Sequence, residues 1–305
     1  MERNKQRGRF LIEAKTKAVD VIDNPIFEHY GRLIFPTAFG RPSSFMTLDE
    51  VGSMLLYHNY INTETTIDVI RTMEERRIEG KTIFYDIYSE QEKRRDPEKR
   101  DTGLFHFQGK KGAPFAVICA GGGFYYVGSI HESLPHALEL GRRGYHGFAL
   151  VYRTSSADAA CEDLARALCF IFEHAGELEI DTDGYSLWGG SAGARTAAWL
   201  GCFGTDAFGE RRLPRASAVI MQYTGYSQYS RKDPATYACV GGRDGIADWR
   251  VMKRRLEHLK AFGTDTEFHL YPGLRHGFGL GIGTEAEGWL DDAAAFWKKN
   301  RGAGR

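Results

Sequence analysis

From about residue 81 onward, the apolar positions switch between continuous runs and helical spacing. Thr82–Tyr88, Leu104–Gln108, Pro114–Ala120 (PFAVICA), Phe148–Tyr152 (FALVY), Tyr185–Trp188, Ala218–Gln222, Thr236–Val240 and Glu267–Tyr271 are short β-like runs. Continuous runs of this kind suit strands buried on both faces of a mostly parallel sheet. Between them lie segments of three- and four-residue spacing. Ala157–His174 carries Ala160, Leu164, Leu168 and Ile171 on one face, and Ala194–Phe203 follows a glycine-rich turn. Asp248 begins a helix with Met252, Leu256 and Leu259 on one side, and Ala286–Trp297 is the last helical stretch. Glu90–Asp101 reads as a charged turn. Strands alternating with helices predict an α/β protein with a doubly wound, mostly parallel sheet. Ligands of such sheets bind beyond the carboxyl ends of the strands.

Residues 1–80 follow another pattern. Thr47 and Glu50 form a capping box before Val51–Tyr57. Asn62 or Thr63 can cap a second helix through Arg77, stopped at Gly80. Residues 25–45 hold three prolines and several aromatics with little periodicity. The segment carries Phe27, Tyr30, Phe35, Phe39, Phe45, Tyr57 and Tyr60 but no sheet pattern of its own, so it must bury that surface against the rest. The division expected is an N-terminal helical cap segment, 1–80, and a core domain, 81–305. The carboxyl edge of the sheet above Ser191 is the landing place expected, with packing on a sheet face or at an oligomer interface the alternative.

Charge narrows the partners. Lys+Arg and Asp+Glu total 40 each, giving a formal net charge of zero. Nothing in that balance favours nucleic acid or an acidic membrane surface. No apolar run approaches the ~20 residues of a membrane span. Met1–Phe10 is basic and polar, with no apolar run of signal-peptide length after it. Cys119, Cys161, Cys169, Cys202 and Cys239 are odd in number and sit in apolar stretches. That is the usage of reduced thiols, and cytoplasmic location is expected.

The chemistry concentrates at four places. Gly189-Gly190-Ser191-Ala192-Gly193 fits G-x-S-x-G, entered by the strand YSLW and left by a helix. In such an elbow the serine stands on a strained turn, and small residues two before and two after it let strand and helix pass. Ala120-Gly121-Gly122-Gly123-Phe124 follows a strand upstream. Glycines there let backbone amides point at a developing oxyanion. A dinucleotide loop would need a sixth-position glycine, and that position is Tyr126. Asp244 follows the strand TYACVGG, and His276 follows EFHLYP. Each lies just past a strand's carboxyl end, in the chain order Ser…Asp…His. A serine hydroxyl needs a base to take its proton, and the base needs a carboxylate to fix its tautomer. Asp248 is the other candidate acid, better placed as a helix N-cap. No histidine has metal-ligand spacing with another His or Cys. Neither metal nor cofactor is expected.

With these pieces in order, the chain from about 81 to 300 resembles the α/β-hydrolase esterases. It is similar in particular to the branch of hormone-sensitive-lipase-like enzymes and bacterial acetyl and xylan-type esterases. Leu138–Arg153 (LELGRRGYHGFALVYR) matches that branch's helix, "arg-gly-tyr", strand and "tyr-arg" pattern. Asp244–Trp249 (DGIADW) matches its acid loop, in which the first Asp is catalytic. The resemblance implies a serine carboxylesterase acting on short-chain acyl esters, such as acyl groups on carbohydrate or small alcohols. Ser191, His276 and Asp244 would be its triad, and the amides of Gly122, Gly123 and Ala192 its oxyanion donors. One departure stands out: the branch reads His-Gly-Gly-Gly, with a histidine that braces the loop, and here that position is Ala120. By position, residues 1–80 resemble the branch's N-terminal cap. Tyr125, Tyr126 and Tyr223 lie on loops expected to shape the substrate pocket. A peptidase or amidase of the same fold, or a ligand-binding protein on a hydrolase scaffold, are the competing readings.

Overall fold

The apolar runs become strands, and those inside the sheet are covered on both faces. A computed structural model describes residues 11–302, so Met1–Phe10 lies outside the described residues. The strands are β1 (Phe84–Tyr85), β2 (Gly103–Phe107), β3 (Ala113–Cys119), β4 (His146–Val151), β5 (Ile180–Gly190), β6 (Ala218–Gln222), β7 (Ala235–Gly241) and β8 (Thr266–Tyr271). They form one sheet in the order β1-β2-β4-β3-β5-β6-β7-β8. β1 and β2 run antiparallel at one edge, and β3 to β8 with β4 are parallel. β3 lies in the middle, with Val117 between Phe148 and Leu187, all three fully buried. This is the doubly wound, mostly parallel sheet the pattern predicted.

The helices are α1 (Ala18–Ile22), α2 (Thr63–Ile78), α3 (Glu90–Arg95), α4 (Ser133–Arg142), α5 (Ala157–Glu173), α6 (Ala192–Phe203), α7 (Trp249–Ala261) and α8 (Trp289–Asn300). Their starts obey local chemistry. Asn62, Ser156 and Asp248 each accept an amide hydrogen bond from the first turn of α2, α5 and α7. The expected charged turn at 90–101 is instead α3 and a 3-10 turn, Pro97–Asp101. Ser89 and Glu92 cap α3 reciprocally, and Asp96 caps the 3-10 turn. Thr82–Tyr88 pairs only at Phe84 and Tyr85, because β2 is its sole neighbour. No helix among the described residues is long and apolar enough to cross a membrane. All five cysteines are free and buried.

The N-terminal segment is continuous with this core. Ile12, Val21, Phe27, Tyr30, Ile34, Val51, Ile70 and Met73 belong to the same buried cluster as the strands. Tyr30 stacks on Phe84 with ring centroids 4.7 Å apart and meets Phe105 edge-on, so it covers the β1–β2 edge. α2 is tied to α4 by a bidentate Arg142–Asp68 pair at 2.7 and 2.8 Å. At the carboxyl edge of the sheet it is residues 57–60, with Phe39 against Tyr125 and Tyr126, that reach the functional loops. The segment thus meets the β1–β2 edge and α4 as well as the carboxyl edge of the sheet.

Candidate active site

The turn between β5 and α6 holds Ser191 at φ 51°, ψ −115°, a conformation side chains rarely adopt. The surroundings enforce it. A Cβ at Gly193 would run into the Cys119 carbonyl, and one at Gly189 into the Gly193 backbone. The Ser191 amide donates to Gln222 O at 2.9 Å, fixing the turn to β6. The hydroxyl is thereby lifted to the carboxyl edge, at the N-terminus of α6, where the helix dipole favours negative charge.

His276 Nε2 is 3.0 Å from Ser191 Oγ, and His276 Nδ1 is 2.8 Å from Asp244 Oδ2. The side chains of His276 and Asp244 are 4% and 0% exposed, so the pair works in a low-dielectric setting. The other Asp244 oxygen accepts the amides of Ile246 and Ala247, each at 2.8 Å, which fixes the carboxylate plane. Asp248 points elsewhere and caps α7. The loop carrying His276 is held by the N-terminal segment: Asn59 Nδ2 donates to His276 O at 2.7 Å, and the Arg275 amide to Tyr60 Oη at 3.1 Å.

The glycine loop after β3 comes close to the same serine, since a Cβ at Gly121 would sit 2.9 Å from Ser191 Cβ. Gly122 and Gly123 have φ of 140° and 66°. Among the described residues, the amides of Gly122, Gly123 and Ala192 have no acceptor within the protein. The Gly121 amide is occupied: it donates to Glu132 Oε2 at 2.5 Å. Tyr152 Oη, of the "tyr-arg" pair, holds Ala120 O at 2.5 Å, while Arg153 is anchored to buried Asp163.

A cavity of about 410 Å³ opens beside Ser191, lined by Phe124, Arg195, Thr224, Tyr226 and Gln228 among others. The Arg195 guanidinium lies 6.0 Å from the Phe124 ring centroid and 5.3 Å from that of Trp199. The tyrosines expected to shape the pocket do not line this cavity. Tyr126 is 1% exposed, with its hydroxyl on His58 Nδ1 at 2.8 Å and the Tyr57 amide at 3.0 Å. Tyr223 is fully buried, edge-on to the His276 ring at 5.0 Å, and donates to Glu132 Oε1 at 2.7 Å. Tyr125 is half exposed against Phe39. Two of the three hydroxyls find partners behind the loops, which turns those rings inward. No residue before Gly123 is among the cavity's lining residues.

Among the described residues, no three His, Cys, Asp or Glu side chains gather as a metal site requires. A family model described as BD-FAE matches residues 105–261. The chain belongs to this family of α/β-hydrolase esterases. Solved structures show the same fold. An acetyl ester-xyloside bifunctional hydrolase from Caldicellulosiruptor lactoaceticus superposes with a TM-score of 0.59 at 22% identity, covering 65% of this chain and 88% of that one. A propionate-bound esterase from Thermogutta terrifontis gives 0.58 at 20% identity, over 65% and 89%. A sugar hydrolase from Lactococcus lactis gives 0.56 at 20%, over 65% and 94%. No match is found among curated proteins. The BD-FAE match begins in β2 and ends with α7, so it spans Ser191 and Asp244 but neither His276 nor the N-terminal segment that holds it.

Buried histidines bear on how this BD-FAE member responds to acid. Burial lowers His106 to about 3, with His146 beside it, and lowers His131 and His136 to about 4. An unfolded histidine takes up its proton near ~6.5. Between that value and about 4 the unfolded chain therefore binds more protons, and stability falls as pH falls. Glu132 acts in the same direction, but only once pH falls through the ordinary carboxylate range. Burial by itself would raise its carboxyl, but the facing His58 and the Gly121 amide outweigh burial and hold it well below the usual range. The melting temperature is expected to be level only around neutral pH, to drop steadily from pH 6.5 to 4, and to fall again in the alkaline range, where burial raises all five cysteine thiols and the unfolded chain gives up their protons first. A calorimetric series with no change between pH 7.5 and 5 would contradict these neutral buried states.

Proposed function

We propose that the protein is a serine carboxylesterase that removes short acyl groups from carbohydrate or other small polar alcohols. The observation that carries this reading is the unbroken line Ser191 Oγ, His276 Nε2, His276 Nδ1, Asp244 Oδ2, with spacings of 3.0 and 2.8 Å. In the first step Oγ attacks the ester carbonyl as Nε2 takes its proton, and the carbonyl electron pair moves onto oxygen. The amides of Gly122, Gly123 and Ala192 receive that oxyanion. Preorganised donors of this type contribute ~10²–10³ in rate each. The imidazolium then returns the proton to the leaving alcohol, leaving an acyl group on Ser191. Water activated by the same imidazole releases the acid by the reverse sequence. Asp244 stabilises the imidazolium and holds Nδ1 protonated.

The cavity supports a small substrate. Thr224, Tyr226 and Gln228 offer hydrogen bonds to hydroxyl groups, and the volume suits a sugar-sized alcohol more than a long acyl chain. Reaction with an organophosphonate is the direct test, since the Thermogutta esterase has been solved phosphonylated by cyclosarin. A fluorophosphonate probe is expected to label Ser191 alone. Ser186 lies fully buried in β5 with its hydroxyl on Trp188 Nε1, and stays unlabelled. Peptide mapping that finds the label elsewhere, or no turnover of acetyl and propionyl esters, rejects the reading.

A further inference from the structure

Three consecutive glycines give the loop after β3 almost no conformational preference of its own. Its amides can nevertheless serve an oxyanion only if they are aimed before the reaction starts. Something outside the loop must hold it, and Ala120 offers no side chain able to do so.

The residue that meets this need is Glu132, the N-cap residue of α4. Its side chain is 1% exposed. One oxygen accepts the Gly121 amide at 2.5 Å; the other accepts Tyr223 Oη at 2.7 Å and faces His58 Nε2 at 2.8 Å. Burial, with the Glu132 charge next in effect, pushes the Tyr223 hydroxyl well above its ordinary value, so it remains a donor. His58 comes from the N-terminal segment and packs on both loops of the site. A Cβ at Gly128, on the exit of the glycine loop, would lie 2.7 Å from His58 Cε1, and one at Gly277 would lie 2.7 Å from His58 Cα. Tyr223 in turn accepts the Gly279 amide at 3.3 Å and packs against the His276 ring. One buried carboxylate thus joins the oxyanion loop, the wall behind the base and the N-terminal segment.

We propose that Glu132 and His58 are positioning residues for the oxyanion loop, so that the N-terminal segment supplies from position 58 the histidine brace that the resembling esterases carry at position 120. This rests on the esterase reading above. Neither residue touches substrate; they act by aiming the amides of Gly122 and Gly123. The role therefore belongs to the transition state, where the oxyanion exists, and not to ground-state binding.

The test uses the full chain. Active sites are titrated to completion with a fluorophosphonate, and kcat for an acetyl ester is expressed per titrated site. Affinity for a trifluoromethyl ketone, which adds to the serine as a tetrahedral oxyanion, is measured alongside. Glu132→Gln places an amide group where the carboxylate accepts three donors. It is expected to lower kcat about 10²-fold, the scale of one lost oxyanion donor. KM should stay within about threefold, and the ketone should weaken by a factor matching the loss in kcat/KM. His58→Ala should show the same pattern at tenfold or more. His58→Gln, whose amide nitrogen can stand where Nε2 stands, should recover most of it. If Glu132→Gln does not fold, the two His58 variants and Tyr223→Phe carry the same comparison. Unchanged kcat per site and unchanged ketone affinity in His58→Ala and Tyr223→Phe, with only a lower melting temperature, would overturn the proposal. A wild-type chain that neither reacts with the fluorophosphonate nor cleaves the ester sinks the esterase reading, and this proposal with it.

Discussion

Ser191→Ala is expected to reduce ester turnover by about 10⁶ in kcat, the loss seen when a triad nucleophile is removed from comparable sites. Whatever remains comes from the cavity and the glycine-loop amides acting on water. The loss should be chemical and not conformational. Ser191 Oγ has His276 as its hydrogen-bond partner among the described residues, and the turn is held by the backbone bond to Gln222 and by Gly189 and Gly193. The variant should melt within about a degree or two of wild type, since it loses one solvent-edge hydrogen bond of ~1 kcal/mol at most. A purified variant keeping a tenth of wild-type activity would remove Ser191 from the mechanism.

Asp244→Asn should cost about 10⁴ in kcat, and the geometry says why. One Asp244 oxygen accepts two amides, from Ile246 and Ala247, and the other faces His276 Nδ1. An asparagine keeps its carbonyl oxygen on the two amides and so turns its NH₂ toward Nδ1. That forces Nδ1 to accept and puts the ring proton on Nε2, facing a serine that needs an acceptor there. The fall is that of a wrong-tautomer triad. Asp248→Asn keeps a good N-cap on α7 and should change kcat by less than about twofold. Comparable losses in the two variants would leave the acid unassigned, and a large loss at 248 alone would reverse the choice.

The parts of this architecture that could be read in advance share a property: their constraint is local. The elbow needs small residues at fixed offsets from Ser191. Burial on both faces of the sheet writes itself as an unbroken apolar run. Where the constraint is spread over distant segments, the residues look ordinary. Glu132 sits in a polar stretch, IHES, and its meaning comes from Gly121, Tyr223 and His58, none of which is near enough in sequence to form a pattern. Tyr126 and Tyr223 lie on loops beside the site, a position that points to the pocket. Their hydroxyls are instead bound inside, at His58 and Glu132. Helix α3 carried a readable signal in its Ser89–Glu92 capping box, but EQEKRR has no apolar face to mark it as helical. The N-terminal segment escaped for a related reason. Its aromatics told that it must be buried, while the partner surface, the β1–β2 edge, is created only by the fold.

The bond from Asn59 to the His276 carbonyl spans 217 residues of chain. During synthesis, residues 57–60 emerge long before the loop they clamp exists. The sheet can grow strand upon strand through parallel neighbours, but the base loop gets its clamp only after β8 has been made and docked. Contacts of such sequence separation are costly to close and come late in folding. Activity is therefore expected to return only after the bulk of the secondary structure has formed. Regain of activity in a refolding experiment should trail the far-ultraviolet signal.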